Sequence, residues 1–148
     1  MKNVKFLLSA ALVFLASAAL AQDFSGPQYA KWGATPEERE QNILNSNFLK
    51  ESCDNRDYDA AAHYLKGLID KIPDAAESIY QRGAVVYKNK INRAKSVAEK
   101  NMFIDSLMLM YDMRAQYFGD NVKPGKTAFI LDQKAREFLR YKPNDRKG

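Results

Sequence analysis

The side chains with chemical potential in this 148-residue sequence are few: one histidine, one cysteine, a run of methionines between positions 102 and 113, and scattered carboxylates. His63 lies off the apolar stripe of its segment. No Ser or Cys nucleophile signature surrounds it, and neither HExxH nor GxSxG occurs anywhere in the sequence, so it reads as a solvent-facing residue. Cys53 has no partner within its own chain. It is either a small buried hydrophobe or, in an oxidising compartment, a reactive thiol or half of an intermolecular disulfide. A single Cys and a single His exclude a disulfide framework, a Cys/His zinc site and a multi-His metal site within one copy. Met102, Met108, Met110 and Met113 carry thioethers of the kind Cu(I) accepts, but their interleaving with Phe103, Leu107 and Tyr111 is the pattern of core packing. Asp105 and Asp112 belong to no recognisable cleft motif. Glu77 is the acid that a small helical cell-wall hydrolase would use. Lys88, Lys90, Arg93, Lys95 and Lys100, with Glu99 as the only acid among them, form a basic stretch. It could hold an anionic envelope polymer or simply be a solvated connection between helices. The sequence assigns no catalytic residue, no metal ligand and no cofactor.

The elements that must position these residues are helical. Thr35-Pro36-Glu37-Glu38 supplies an N-cap hydroxyl, a proline at the first helical position and a Glu able to return the capping bond, so a helix is predicted from there to about Asp54. Its expected buried side holds the pair Leu44 and Phe48, broadened by Ile43, Leu49 and Cys53. Asn55-Arg56-Asp57 breaks it, and Asp57 can cap a second helix. There Ala61, Leu65, Leu68, Ile69 and Ile72 form one stripe before Pro73. A third helix is predicted over Ala75 to about Lys90, with Ile79, Gly83 and Val86 on one side. Glu77, Tyr80, Ala84, Tyr87 and Lys88 form a mixed strip on the other. Gly83 marks a place where another backbone is expected to approach closely. A fourth helix from roughly Arg93 to Phe118 has an unusually wide apolar arc, which requires neighbours on two sides. After the loop Val122-Lys123-Pro124-Gly125, a last helix has Ala128, Leu131, Ala135, Phe138 and Leu139 on its expected buried stripe and ends at Pro143. No convincing alternating strand occurs, so the predicted class is all-α.

Residues 1–21 stand apart. Lys2 and Lys5 precede an uncharged run from Phe6 to Ala21 that closes on Ala19-Leu20-Ala21, the pattern of a secretory signal peptide cut after Ala21. Residues 22–34, with Gly26, Pro27 and Gly33 among isolated aromatics, are predicted as an irregular lead-in whose rings can dock. Residues 35–148 then form the helical domain. Loss of Lys2 and Lys5 lowers the formal charge from +5 to +3. So mild a charge of mixed sign gives little electrostatic case for nucleic acid. The expected location is periplasmic or secreted, with no transmembrane segment in the mature chain.

The segment Asp57-Tyr58-Asp59-Ala60-Ala61, followed by Tyr64-Leu65, Leu68-Ile69 and Pro73, resembles the second helix of a tetratricopeptide repeat. Ala76-Glu77-Ser78-Ile79-Tyr80-Gln81-Arg82-Gly83, then Val86-Tyr87, is similar to the first helix of the next repeat, with Gly83 where that family expects glycine. Leu49, Asn45 and Arg56 depart from the pattern, Arg56 at the position of a turn glycine, and the spacing fails after Tyr87. The likeness is to a divergent array, similar to exported tetratricopeptide-like proteins of Bacteroides-type bacteria. It implies antiparallel helix hairpins stacked as a short right-handed solenoid, whose first helices line a concave, ligand-binding face. On that face it would place Ser46, Lys50, Glu77, Tyr80, Tyr87 and Lys88. The implied role is a scaffold or adaptor binding a protein or peptide partner in the cell envelope. A homodimer through the C-terminal helix is a further expectation, because that helix has no partner after it.

Overall fold

The computed structural model describes residues 22–143. The signal peptide expected over residues 1–21 lies outside the described residues. A six-residue 3₁₀ helix, Pro27–Trp32, precedes five α-helices: α1 Pro36–Asp54, α2 Tyr58–Lys71, α3 Glu77–Arg93, α4 Val97–Phe118 and α5 Lys126–Tyr141. The described residues contain no strand, and the all-α expectation holds.

The sequence signals for the helix ends have direct counterparts. Thr35 Oγ1 accepts from the Glu38 N–H at 3.2 Å while Glu38 Oε2 accepts from the Thr35 N–H at 3.4 Å, so two donors at the start of α1 are satisfied reciprocally. Asp57 accepts from the Ala60 N–H at 3.1 Å and starts α2. Between them Arg56 adopts φ +60°, the left-handed conformation that favours glycine. The boundary between α3 and α4 differs from expectation. Helix α3 continues to Arg93, and α4 starts only after Ser96, whose Oγ accepts from the Glu99 N–H at 3.1 Å. Glu99 in turn accepts from the Lys95 N–H at 2.7 Å. The sequence Ser96-x-x-Glu99 is itself a capping signature.

The lead-in is not wholly irregular, since it contains the 3₁₀ turn, and it is docked. Trp32 packs on the core, and its carbonyl accepts from Asn42 Nδ2 at 2.7 Å. The Arg39 guanidinium donates to the carbonyls of Phe24, Ser25, Gly33 and Ala34. Burying Asn42 is tolerable because its amide has that partner.

Short connections make successive helices neighbours. Each α-helix packs on the next, and α1 also packs on α3; α5 packs on α4 alone. Two apolar clusters result. One joins Leu49 of α1, Leu65 and Leu68 of α2, Ile79, Tyr80 and Val86 of α3, and Met110 and Phe118 of α4. The other joins Ile91, Ile104, Leu107, Met108, Tyr111 and Ile130. Tyr87 touches both. The wide apolar arc of α4 is accounted for, because this helix feeds both clusters. Gly83 sits where α2 and α4 converge on α3, but side chains, not backbone, approach it. A Cβ there would lie 2.7 Å from Met110 Sδ and 3.2 Å from Leu65 Cδ1.

Two expected stripes are rotated. On α1 the buried positions are Asn42, Ser46 and Leu49, while Leu44 is exposed and Phe48, half-buried, lies against Tyr64. On α5 only Ile130 is fully buried. Leu131 and Leu139, expected inside, are 42% and 51% exposed, and Ala128 and Ala135 face outward with them. The inner face of α5 is mostly polar, and its charges are neutralised across the helix boundary: Lys126 meets Glu77, Lys134 meets Asp112, and Glu137 meets Lys88. Hydrophobic periodicity cannot register a face held this way.

Candidate functional site

Helices α3 and α5 flank α4 without packing on one another, and a cleft of about 320 Å³ opens between them. Ala84, Val85 and Lys88 form its α3 wall, Met110, Tyr111 and Arg114 of α4 its floor, and Gln133, Arg136, Glu137 and Arg140 its α5 wall. The helical period explains this membership. Gln133, Arg136, Glu137 and Arg140 recur at three- and four-residue spacing and share one flank of α5.

Ion pairs fix both ends of the cleft. At one end Glu77 of α3 accepts from Arg114 Nε at 2.9 Å and from Lys126 Nζ at 2.6 Å, and Arg114 reaches on to Gln133 Oε1 at 2.9 Å, so one carboxylate ties three helices together. Burial alone would raise the Glu77 carboxyl, but the two cations outweigh it and hold the group below the ordinary glutamate value. At the other end Lys88 Nζ lies 2.6 Å from Glu137 Oε1. Burial works against the Lys88 ammonium. Glu137 and Tyr111 more than compensate, and Lys88 is held above the ordinary lysine value, fully charged. The second oxygen, Glu137 Oε2, is buried with Arg140 Nη1 at 3.6 Å and no hydrogen-bond donor among the described residues. Arg136 and Arg140, whose side chains are 79% and 66% exposed, stand at the mouth.

The residues expected on one binding face separate into three groups. Lys88 lines the cleft and Tyr80 borders it from within the core, while Glu77 anchors one end. Tyr80 is a core residue, 1% exposed; its Oη donates to the Pro73 carbonyl at 2.7 Å, and its ring lies beside those of Tyr117 and Phe118. Burial pushes its phenol pKa far upward. Tyr80 is inside because α3 is covered by α1, α2 and α4, so the strip that looked amphipathic in sequence is mostly interior. Tyr87 is half-buried between the two apolar clusters. Ser46 is buried along α1, and Lys50, exposed, pairs with Asp54 on its own helix, away from the cleft. The cleft residues on α5 carried no recognised motif; the signal available was the recurrence of arginine and glutamate along one helix flank.

Glu77, the acid of the rival hydrolase expectation, is committed to two cations that hold its carboxyl below the ordinary glutamate value, the opposite of the shift a general acid uses. Of the basic stretch from 88 to 100, Lys88 turns to α5, whereas Lys90, Arg93 and Lys95 line one shallow depression with Asp59 and Glu99; there Lys90 pairs with Asp59 of α2 and lies over Phe103, and Arg93 lies over the Tyr58 ring. Cys53 packs half-buried against the first cluster, and burial raises its thiol pKa. Met108 enters one apolar cluster and Met110 and Met113 the other, while Met102 is exposed.

No protein-family model, curated protein or solved structure matches this chain.

Proposed function

We propose that this chain is an exported helical-repeat scaffold of tetratricopeptide-like organisation that binds a peptide segment of another protein in the cleft between α3 and α5. The observation that carries the reading is the separation of those two helices, which leaves an apolar and aromatic floor beneath exposed guanidinium groups. The consecutive packing of hairpins, the contact of α1 with α3 and the leader-like composition of residues 1–21 support it. Ala84 and Val85 offer apolar surface to one side chain of a ligand above the buried Met110, while Arg136 and Arg140, paired with Asp132 and Glu137 on their own helix but largely exposed, favour flanking carboxylates. The favoured ligand is therefore a short acidic peptide with an apolar anchor.

Panning of a random-peptide display library against the chain tests this. Enrichment of peptides with carboxylates around an apolar residue is expected, and capture is expected to fall about tenfold or more in Val85→Asp and in Arg140→Glu. Val85 is exposed, so Val85→Asp should keep the wild-type circular dichroism and melting, whereas Arg140→Glu, which removes the cation 3.6 Å from the buried Glu137 Oε2, should keep the helical circular dichroism with a lowered melting temperature. Equal capture by wild type and both folded variants would refute the cleft as the binding site.

A further inference from the structure

We infer that the cleft between α3 and α5 takes the C-terminal end of a peptide chain, with the terminal carboxylate on Arg140 and the apolar side chain of the last residue on Ala84 and Val85. This rests on the peptide-binding reading above and names the part of the peptide that enters.

The charge left over in the cleft calls for a carboxylate. Each acid that closes the cleft is shared by two cations: Glu77 by Arg114 and Lys126, and Glu137 by Lys88 and Arg140. Arg136 is matched separately by Asp132 on its own helix. Among the described residues, one positive charge therefore remains at each end after every pair is counted. At the Glu77 end both cations are largely buried and hydrogen-bonded to the carboxylate. At the other end Arg140 is exposed and stands 3.6 Å from Glu137, beyond hydrogen-bonding distance, so its donors are available to an incoming carboxylate.

The shape selects a chain end over an internal stretch. The bridges from Glu77 and from Lys88 to α5 start eleven residues, or about 16 Å, apart along α3. A peptide running through the cleft must cross both, whereas one that stops inside crosses a single bridge. The volume of about 320 Å³ is at the small end of the roughly 300–1,000 Å³ usual for ligand sites. Ala84 precedes Lys88 by one helical turn, so the apolar wall and the Lys88–Glu137–Arg140 end lie about 6 Å apart along the axis. A single terminal residue spans that distance, because its side chain and its carboxylate leave the same Cα. Capture of a C-terminal carboxylate is a recurring mode of peptide recognition.

Fluorescence anisotropy with two pools of N-terminally labelled pentapeptides ending in Leu, Val or Phe tests this, one pool with a free C-terminus and the other amidated. The free-acid pool should bind about tenfold or more tighter, and Arg140→Gln, with its helical circular dichroism retained, should erase the difference by weakening the free-acid pool alone. Val85→Asp should weaken both pools. Equal binding of the two pools by the wild type, lost in Val85→Asp, overturns the chain-end inference and leaves the cleft as a peptide site. A free-acid preference that survives in Arg140→Gln also overturns it, because the carboxylate is then read elsewhere. Binding of neither pool overturns it as well, while the display-library peptides decide separately whether the cleft binds. Binding of both pools unchanged in Val85→Asp refutes the cleft itself.

Discussion

Replacing Glu77 by Gln should cost far more than its position near the molecular surface suggests. The carboxylate is the shared acceptor of Arg114 and Lys126, whose side chains are only 11% and 19% exposed, and each is a charge-assisted bond across a helix boundary. Such bonds contribute about 1.5–3 kcal/mol each. Glu77 itself is 23% exposed, which tempers the sum, and Gln retains one acceptor oxygen. The expected loss is therefore about 2–4 kcal/mol, a large fraction of the roughly 5–15 kcal/mol of a typical domain. Asp54→Asn, which breaks the exposed Lys50–Asp54 pair on α1, should cost well under about 1 kcal/mol. Urea unfolding of the two variants at neutral pH makes the comparison. The same experiment across pH adds a second reading. The folded-state pKa of Glu77 lies below its unfolded value, so its contribution is complete above the unfolded value near 4.5 and is lost as pH falls through the folded one. The wild type should lose stability over that acid window more steeply than Glu77→Gln. If Glu77→Gln is no less stable than Asp54→Asn, the three-helix tie is not a determinant of this fold. If it is fully stable but abolishes digestion of cell-wall material in a zymogram, the binding assignment is replaced by a hydrolase.

Gly67→Ala should stabilise α2 by about 0.5–1 kcal/mol, because nothing lies within 4 Å of the new methyl group. Gly83→Ala should destabilise, because the clash with buried Met110 and Leu65 costs about 1–3 kcal/mol and exceeds the gain in helix propensity; thermal melts of the pair should move in opposite directions. Tyr80→Phe should cost about 1 kcal/mol in urea unfolding through the orphaned Pro73 carbonyl, and the wild-type Tyr80 phenol should resist ionisation in an alkaline absorbance titration while the chain stays folded. Arg56→Gly should raise the melting temperature, since relieving a left-handed non-glycine residue is worth about 1 kcal/mol; a lowered value would mean that the Arg56 side chain makes a contribution larger than the backbone cost.

Local chemistry was legible in the sequence wherever the signal was local. Thr35, Pro36 and Glu38 define the start of α1, and Asp57 with Pro73 brackets α2, because caps and prolines act within a few residues of themselves. Faces were less legible. Leu44 and Phe48 outscore Asn42 and Ser46 in hydrophobicity, yet the smaller residues are inside, Asn42 with the Trp32 carbonyl as its partner. Leu131 and Leu139 marked the wrong side of α5 because its true inner side is held by Lys126, Lys134 and Glu137, each matched to a charge more than twenty residues away in sequence. Tyr80 was misplaced for a related reason: a helix with neighbours on several sides hides side chains that a single amphipathic period assigns to solvent. Of the expected binding face, Lys88, the buried Tyr80 and the anchor Glu77 meet at the cleft, whereas its α5 wall required knowing how far that helix stands from α3.

Because α5 has only α4 as a packing neighbour, it is the α-helix whose detachment disturbs least of the described molecule. Its release would cost the burial of Ile130 and the charge pairs, leaving the α1–α3 cluster intact. Amide exchange along Lys126–Tyr141 should accordingly outpace that of α2. Anything that spans the gap to α3, or clasps the helix from outside, would then announce its arrival as a slowing of exchange in this one segment, so a ligand could be sought by its protective footprint before its identity is known.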